Sequence, residues 1–239
     1  VLLQQLDNTV QQIRQSGKRR SIAVTTFASF ASMWLIPRLA EFQNTYPEID
    51  IRIDASDKLI DLNTSDIDIA IRFGLASRMP ANAKHLFDDT MVAVASPHLL
   101  EREGAIQTPA DLARFTLIEA SEPLGTHLEW LTWHRWLSAN GMSGFQPQRW
   151  LHFNYAHQMV QAALSGQGVV LARPPLIAES LANGDLIDVL PGKHSKSPMA
   201  YWLLVGSAAS HREQVKAFCD WVLQEASKTQ TLISKTNLQ

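Results

Sequence analysis

Residues Ser29–Gly74 read SFASMWLIPRLAEFQNTYPEIDIRIDASDKLIDLNTSDIDIAIRFG, and the change of hydrophobic period inside them decides the fold class. Ser29 is a small polar residue that follows a short strand-like run, Ser21–Val24, and opens an apolar-periodic helix over Ser29–Asn44. The helix ends at Tyr46-Pro47, and strict alternation follows: Ile49, Ile51 and Ile53 face one way, Asp50, Arg52 and Asp54 the other. A second alternating run, Ile67, Ile69, Ile71 and Phe73, ends in Arg72-Phe73-Gly74. Strand, helix and strand make a βαβ opening with polar residues at the strand ends. In open α/β sheets, small ligands sit at that edge.

The same alternation continues outward. Strand-like runs are Ser21–Val24, Ile49–Asp54, Ile67–Arg72, Met91–Ala95, Thr116–Ala120, Arg149–Phe153, Gly168–Leu171, Leu186–Leu190 and Ala200–Val205. Helix-like runs are Ser29–Asn44, Lys58–Leu62, His98–Glu103, Pro109–Ala113, His127–Asn140, Ala156–Ser165, Leu176–Ala182 and His211–Ala226. The pattern implies α/β architecture with largely parallel sheets. Thr108-Pro109 is a capping residue followed by proline at the first helical position, and Gly166 and Gly184 stand where left-handed helix ends are expected. Pro37 falls inside the first long helix and removes a backbone donor, so a bend or restart is expected there. The Pro/Gly/Ser stretches near Ser77–Ala83 and Pro191–Pro198 read as loops.

A chain of 239 residues with formal charge -2 suits one globular unit or two small subdomains. The mild acidity argues against nucleic-acid binding by this segment itself. Cys219 is the only cysteine, which excludes an internal disulfide, and its helical setting reads as a buried small hydrophobe. No apolar run approaches the roughly 20 residues of a membrane span. In the first residues, Leu3, Leu6, Val10 and Ile13 form a narrow apolar seam on a polar helix that Gly17 ends. It reads as the end of a linker helix cut from something upstream.

Nothing resembles a catalytic site, so an enzyme is not expected, and neither a metal nor a cofactor is. Gly166-Gln167-Gly168 lacks a third glycine and runs from helix to strand, the wrong order for a dinucleotide loop. There is no phosphate-binding loop, no GxSxG turn and no HExxH helix. The histidines show no metal-ligand spacing. Trp130, Trp133 and Trp136, three apart on one helix, read as a core or partner-facing stripe.

Taken in order, several passages resemble the effector-binding half of a LysR-type transcriptional regulator, in its glycine-cleavage-activator-like branch. These are SFASMWLIPRLAEFQNTYPEIDIRI, DLNTSDIDIAIRFG, MVAVASPHLL and FNYAHQMVQAALSGQGVVLARPPLIAESLANGDLIDVL. The resemblance implies two Rossmann-like subdomains joined by two crossover strands, as in periplasmic binding proteins. Subdomain I would comprise residues 20–95 plus 203–226 and subdomain II residues 96–200, with residues 1–17 as the end of a linker helix and 227–239 as a C-terminal tail. It further implies a cytoplasmic regulatory domain that binds a small anionic or zwitterionic effector in the inter-subdomain cleft. That domain would form homodimers, and homotetramers in the full-length protein. DNA would be contacted only through an N-terminal helix-turn-helix domain outside this chain, and no membrane partner is expected. The alternative is a free-standing solute-binding protein of the same architecture.

Ser29 leads the expected ligand-binding residues, because it caps a helix after a strand and matches the family position whose hydroxyl meets the effector. Asn154 and Tyr155 end the strand Arg149–Phe153 and should face Ser29 across the cleft, although bulky Tyr155 stands where the family has a small polar residue. Tyr201, on the crossover strand, matches a pocket tyrosine of a regulator in that branch. Thr26, Asp57 and Phe73 lie at neighbouring strand ends. The helix N-termini at Ser29 and near Tyr155–Ala156 favour a carboxylate or another anion. Arg72 either pairs with an acidic effector or is held by Asp57, Asp66 or Asp68. Arg173 departs from the small or apolar residue common in the family, marking either an effector-specific charge or a rim arginine. Apolar Met33, Trp34, Leu35 and Ile36 exceed what one helix face needs against a sheet, so dimerisation is expected through Ser29–Asn44 and Leu176–Ala182.

Overall fold

In the computed structural model, which describes residues 20–58, 60–121 and 132–236, nine strands are found. They are β1 (Arg20–Thr26), β2 (Ile49–Ala55), β3 (Ile69–Leu75), β4 (Lys84–Ala95), β5 (Thr116–Ala120), β6 (Arg149–Phe153), β7 (Val169–Ala172), β8 (Ile187–Asp188) and β9 (Ser195–Val205). Their order is β2-β1-β3-β9-β4-β7-β5-β6, with β8 beside β4. β2, β1 and β3 are mutually parallel, as are β6, β5 and β7. β9 and β4 join these two groups by antiparallel pairing. The parallel sheet read from the sequence therefore holds within each half and gives way where the chain crosses between halves. Lys84–Asp88 of β4 pairs with β9 on one side of the crossing, and Val92–Val94 pairs with β7 on the other. The result is two α/β subdomains connected by two crossover strands.

Alternation explains how the second sheet is buried. On β7, Val169 and Leu171 enter one apolar cluster with Leu99, Trp133 and Trp136. Val170 and Ala172, on the opposite face, enter another with Val160, Ala163 and Ile177. β5 divides likewise, Leu117 to the first and Ile118 to the second. Such two-faced burial makes a parallel strand read as a continuous apolar run. Helices α2 (Pro97–Glu103) and α3 (Trp133–Ala139) carry the first cluster, and α4 (Ala156–Leu164) and α5 (Pro174–Ala182) the second. The expected tryptophan stripe is core at Trp133 and Trp136, whose indole N–H groups donate to Ile118 and Lys193 carbonyls. Trp130, like the residues of the N-terminal seam, lies outside the described residues. Between α4 and β7, Gly166 has φ +70°, and a Cβ on Gly168 would stand 2.4 Å from the Thr116 carbonyl oxygen. The turn is thus a tight helix-to-strand junction that needs both glycines.

Subdomain I is built on Ile22, Val24, Phe30, Trp34, Phe42, Ile69, Phe87, Phe218 and Trp221. Its first helix, α1, is irregular. A helical turn at Ala28–Phe30 widens to a π turn over Ala31–Leu35, tightens to a 3₁₀ turn over Ile36–Arg38 and resumes as α-helix over Leu39–Thr45. The irregularity sits at Pro37, as its missing donor requires. The wide turn puts both Trp34 and Leu35 in the core, each 0% exposed. Of the apolar surplus expected to face a partner, only Ile36, at 53% exposure, stays large and open.

Four other expectations change. Lys58–Leu62 is not a helix: Ser56 Oγ accepts from Lys58 N–H, Arg72 takes the Lys58 carbonyl, and Asp61 Oδ1 accepts from Asn63 N–H. Side chains have claimed the backbone groups a helix would use. Ser195–Pro198 is strand, paired with Thr90 and Met91, where a loop was expected. β4 begins at Lys84, well before Met91, and has register shifts at His85/Phe87 and Asp88/Thr90 that break its alternation. The last helix, α6 (Glu213–Lys235), continues past Ala226. Its end is held by Thr229, which accepts from Trp34 Nε1, and by Ile233, which packs against the α4–α5 cluster.

Candidate functional site in the cleft between the subdomains

Ser29 lies at the centre of the contact between the two halves. It is 6% exposed and is the second residue of α1, whose capping position is Phe27. The expectation that Ser29 caps its own helix is therefore corrected. Its hydroxyl oxygen instead accepts the backbone N–H of His157, at 3.3 Å, and lies 3.3 Å from His157 Nδ1. His157 is the second residue of α4, and Tyr155, which caps α4, makes no side-chain capping bond. A hydroxyl from subdomain I thus does for α4 what a local capping side chain ordinarily does. The N-terminal turns of α1 and α4 therefore meet across the two subdomains.

A second polar group lies beside the crossing strands. Arg173, at the β7–α5 junction, has a side chain only 15% exposed. Its Nε lies 3.5 Å from Asp89 Oδ1, its Nη1 donates to the Tyr201 hydroxyl at 3.5 Å, and its guanidinium stacks over the Phe73 ring at 4.4 Å. Asp89, on β4, has a wholly buried side chain, and its Oδ2 accepts from Ser197 of β9 at 2.6 Å. Tyr201, 0% exposed, pairs with Phe73 and Phe87 across the sheet and packs on Phe27 and Phe30. Burial raises the Asp89 carboxyl above its ordinary range, while Arg173 and the Ser197 bond pull it back. Burial also raises the Tyr201 phenol, so its hydroxyl keeps its proton. Thr26 Oγ1 and Asp89 Oδ1 are buried with no hydrogen-bond partner, as are Ser65 Oγ, Trp221 Nε1 and Glu225 Oε1 elsewhere.

The expected residues therefore divide. Ser29 touches α4 of the other subdomain, Phe73 and Tyr201 lie against Arg173, and Thr26 is wholly buried at the end of β1. Asn154 and Tyr155 are exposed, Tyr155 at 43%, with its ring stacked on His157 at 5.4 Å. It is His157, two residues on, that meets Ser29. Asp57 is exposed, and Arg72 donates to Thr25 Oγ1 and the Lys58 carbonyl. Burial lowers the Arg72 guanidinium pKa, and the charges of Asp54 and Asp57 oppose that. Arg173 is largely but not wholly buried, its side chain 15% exposed. Reading the sequence missed Asp89, His157 and Ser197. The only signals for them were an acidic pair at Asp88-Asp89 and the second position of a predicted helix. Among the described residues no group of three His, Cys, Asp or Glu side chains could hold a metal, and no helix is long and apolar enough to cross a membrane.

The family model described as the LysR substrate binding domain matches residues 15–227. The glycine cleavage system transcriptional activator of Escherichia coli is 30% identical over 233 residues, which cover 96% of this chain and 72% of that protein. The HTH-type transcriptional activator AmpR of Pseudomonas aeruginosa is 29% identical over 210 residues, covering 87% and 67%. The effector domain of that AmpR superposes with a TM-score of 0.65 at 27% identity, over 88% of this chain and 97% of the other. These relatives are transcriptional regulators rather than enzymes. With its two α/β subdomains of the periplasmic-binding-protein type, the chain belongs to the LysR substrate-binding domain family and is the effector-binding domain of a LysR-type transcriptional regulator.

Proposed function

We propose that this domain senses a small anionic or zwitterionic effector in the cleft, with Ser29, Thr26 and Tyr201 among its contacts, and reports occupancy through the relative arrangement of its subdomains. Those subdomains are taken as residues 20–95 with 203–226, and 96–200. The observation that carries the reading is the reach of Ser29 Oγ from one subdomain to the N-terminus of α4 in the other. A ligand oxyanion there would meet the partial positive charge of the α4 N-terminus and compete with Ser29 for the His157 N–H. Occupancy would then favour one arrangement by whatever affinity difference the two arrangements offer. Phe73 walls the site, Asn154 and Tyr155 form its outer edge, and Asp57 acts only at a distance through Arg72.

In this reading DNA is contacted by a helix-turn-helix domain N-terminal to the segment, in the cytoplasm, and the domain itself binds no specific site. Homodimers form on the face carrying α1 and α5, where Ile36 is exposed and Arg38 bridges to Glu179 at 2.6 Å. Homotetramers form in the full-length regulator. The test is a thermal-shift screen of amino acids and small carboxylates, since a ligand in excess stabilises by RT ln(1 + [L]/Kd). A hit whose affinity falls in Ser29→Ala supports the site, and a hit indifferent to Ser29→Ala removes it.

A further inference from the structure

We infer that Arg173 reads the anionic group of the effector, and that this group is a carboxylate taken by the terminal nitrogens of the guanidinium. The inference rests on the cleft being the sensing site. Charged hydrogen bonds in a folded protein normally close to about 2.7–2.9 Å, yet both polar contacts of the buried Arg173 stand at 3.5 Å. Asp89 is already met by Ser197 at 2.6 Å, so Arg173 is the member of this group left with only long contacts. A structural ion pair this deep would be expected to satisfy its members more fully.

The geometry also selects the chemistry. Asp89 lies on the Nε side of the guanidinium, and Phe73 covers one face. With one Nη1 N–H directed at Tyr201, that leaves Nη2 and the second N–H of Nη1, a parallel pair that matches a planar carboxylate. Charge argues for a monoanion. Asp89 already supplies one negative charge against Arg173, and the α4 N-terminus adds only a partial positive one. A doubly charged phosphate would be left undercompensated beside Asp89. Tyr201 accepts from Arg173, which frees its own proton to donate to the same ligand.

The test uses short-chain carboxylates and α-amino acids, each beside its primary amide, titrated against this chain by calorimetry after a thermal-shift screen. Because Arg173→Gln alone strands Asp89, the neutral pair Arg173→Gln/Asp89→Asn is measured beside it, with circular dichroism to confirm folding. The expected result is an acid that binds the parent while its amide does not, and at least about a tenfold loss of affinity in the neutral pair, the scale of a charged hydrogen bond. An acid weakened by Ser29→Ala but bound equally by the neutral pair overturns the role of Arg173 and leaves the cleft standing. An acid indifferent to all variants binds elsewhere, and both readings fall. Equal binding of acid and amide, or no carboxylate that binds the parent, also overturns the inference.

Discussion

Two polar clusters join distant parts of this chain, and they are built differently. At the outer end of β1, Asp68 accepts from Arg212 at 2.5 Å and from the Ala23 N–H at 2.9 Å, and Arg212 also donates to the Ser21 carbonyl. Between the subdomains, Ser29 meets His157 at 3.3 Å and Arg173 meets Asp89 and Tyr201 at 3.5 Å, with one short bond, from Ser197 to Asp89 at 2.6 Å. The first cluster ties α6 to the sheet and is short and satisfied. The second joins the two subdomains mostly through long contacts. Polar groups that only hold a fold reward full pairing, and an unpaired buried one costs about 1–3 kcal/mol. Under the proposed function, a ligand would complete the network at these long contacts.

The contrast can be broken most forcefully at Arg173. Arg173→Gln should lower the unfolding free energy in urea by about 3–5 kcal/mol, the cost of stranding a buried partner, and adding Asp89→Asn should restore most of it. If the single variant is as stable as the parent, the pair is not a buried ion pair in solution. Next in size, Ser29→Ala and Tyr201→Phe should each weaken effector binding by about 1–3 kcal/mol in calorimetry, while stability falls less. Equal affinity in both variants would move the site elsewhere. Arg212→Gln should do the opposite, costing about 1 kcal/mol in a urea melt and leaving effector affinity alone; a loss of affinity there would erase the distinction between the clusters. The smallest effect is in pH. Burial raises the Asp89 carboxyl, which faces Arg173 and Ser197, so the folded state holds that proton more tightly than the unfolded chain. Its contribution is fully present below the ordinary aspartate value of about 3.9 and is lost as pH rises through the folded value. Thermal melts of the parent should therefore lose ground to Asp89→Asn over that rise, and a constant difference would contradict the shift.

Much of the fold was legible because local signals agreed with the tertiary result. The βαβ opening, the break at Pro37 and the left-handed turns at Gly166 and Gly184 all follow from residues that leave the backbone few choices. The start of β4 was not legible, since two register shifts break its period where Asp88 and Asp89 look like a polar loop. Lys58–Leu62 misled because helical propensity says nothing of Arg72 arriving from 14 residues away to take a carbonyl. Ser29 and Tyr201 could be singled out through the family resemblance. Their partners could not. Ser29 and His157 are 128 residues apart and Asp89 and Ser197 are 108 apart, and no local pattern records such pairings. Arg173 stood out only as a charge in an apolar run, which does not say whether it points outward or in.

The most direct measurement is a crystal structure of this domain with whichever carboxylate most raises its melting temperature. Ligand density between Ser29 at the α4 N-terminus and the terminal nitrogens of Arg173 is the predicted result. Density instead in the cavity of ≈ 400 Å³ lined by Glu119, Leu137, Phe145 and Trp150, with Ser29 still bonded to His157, would contradict it.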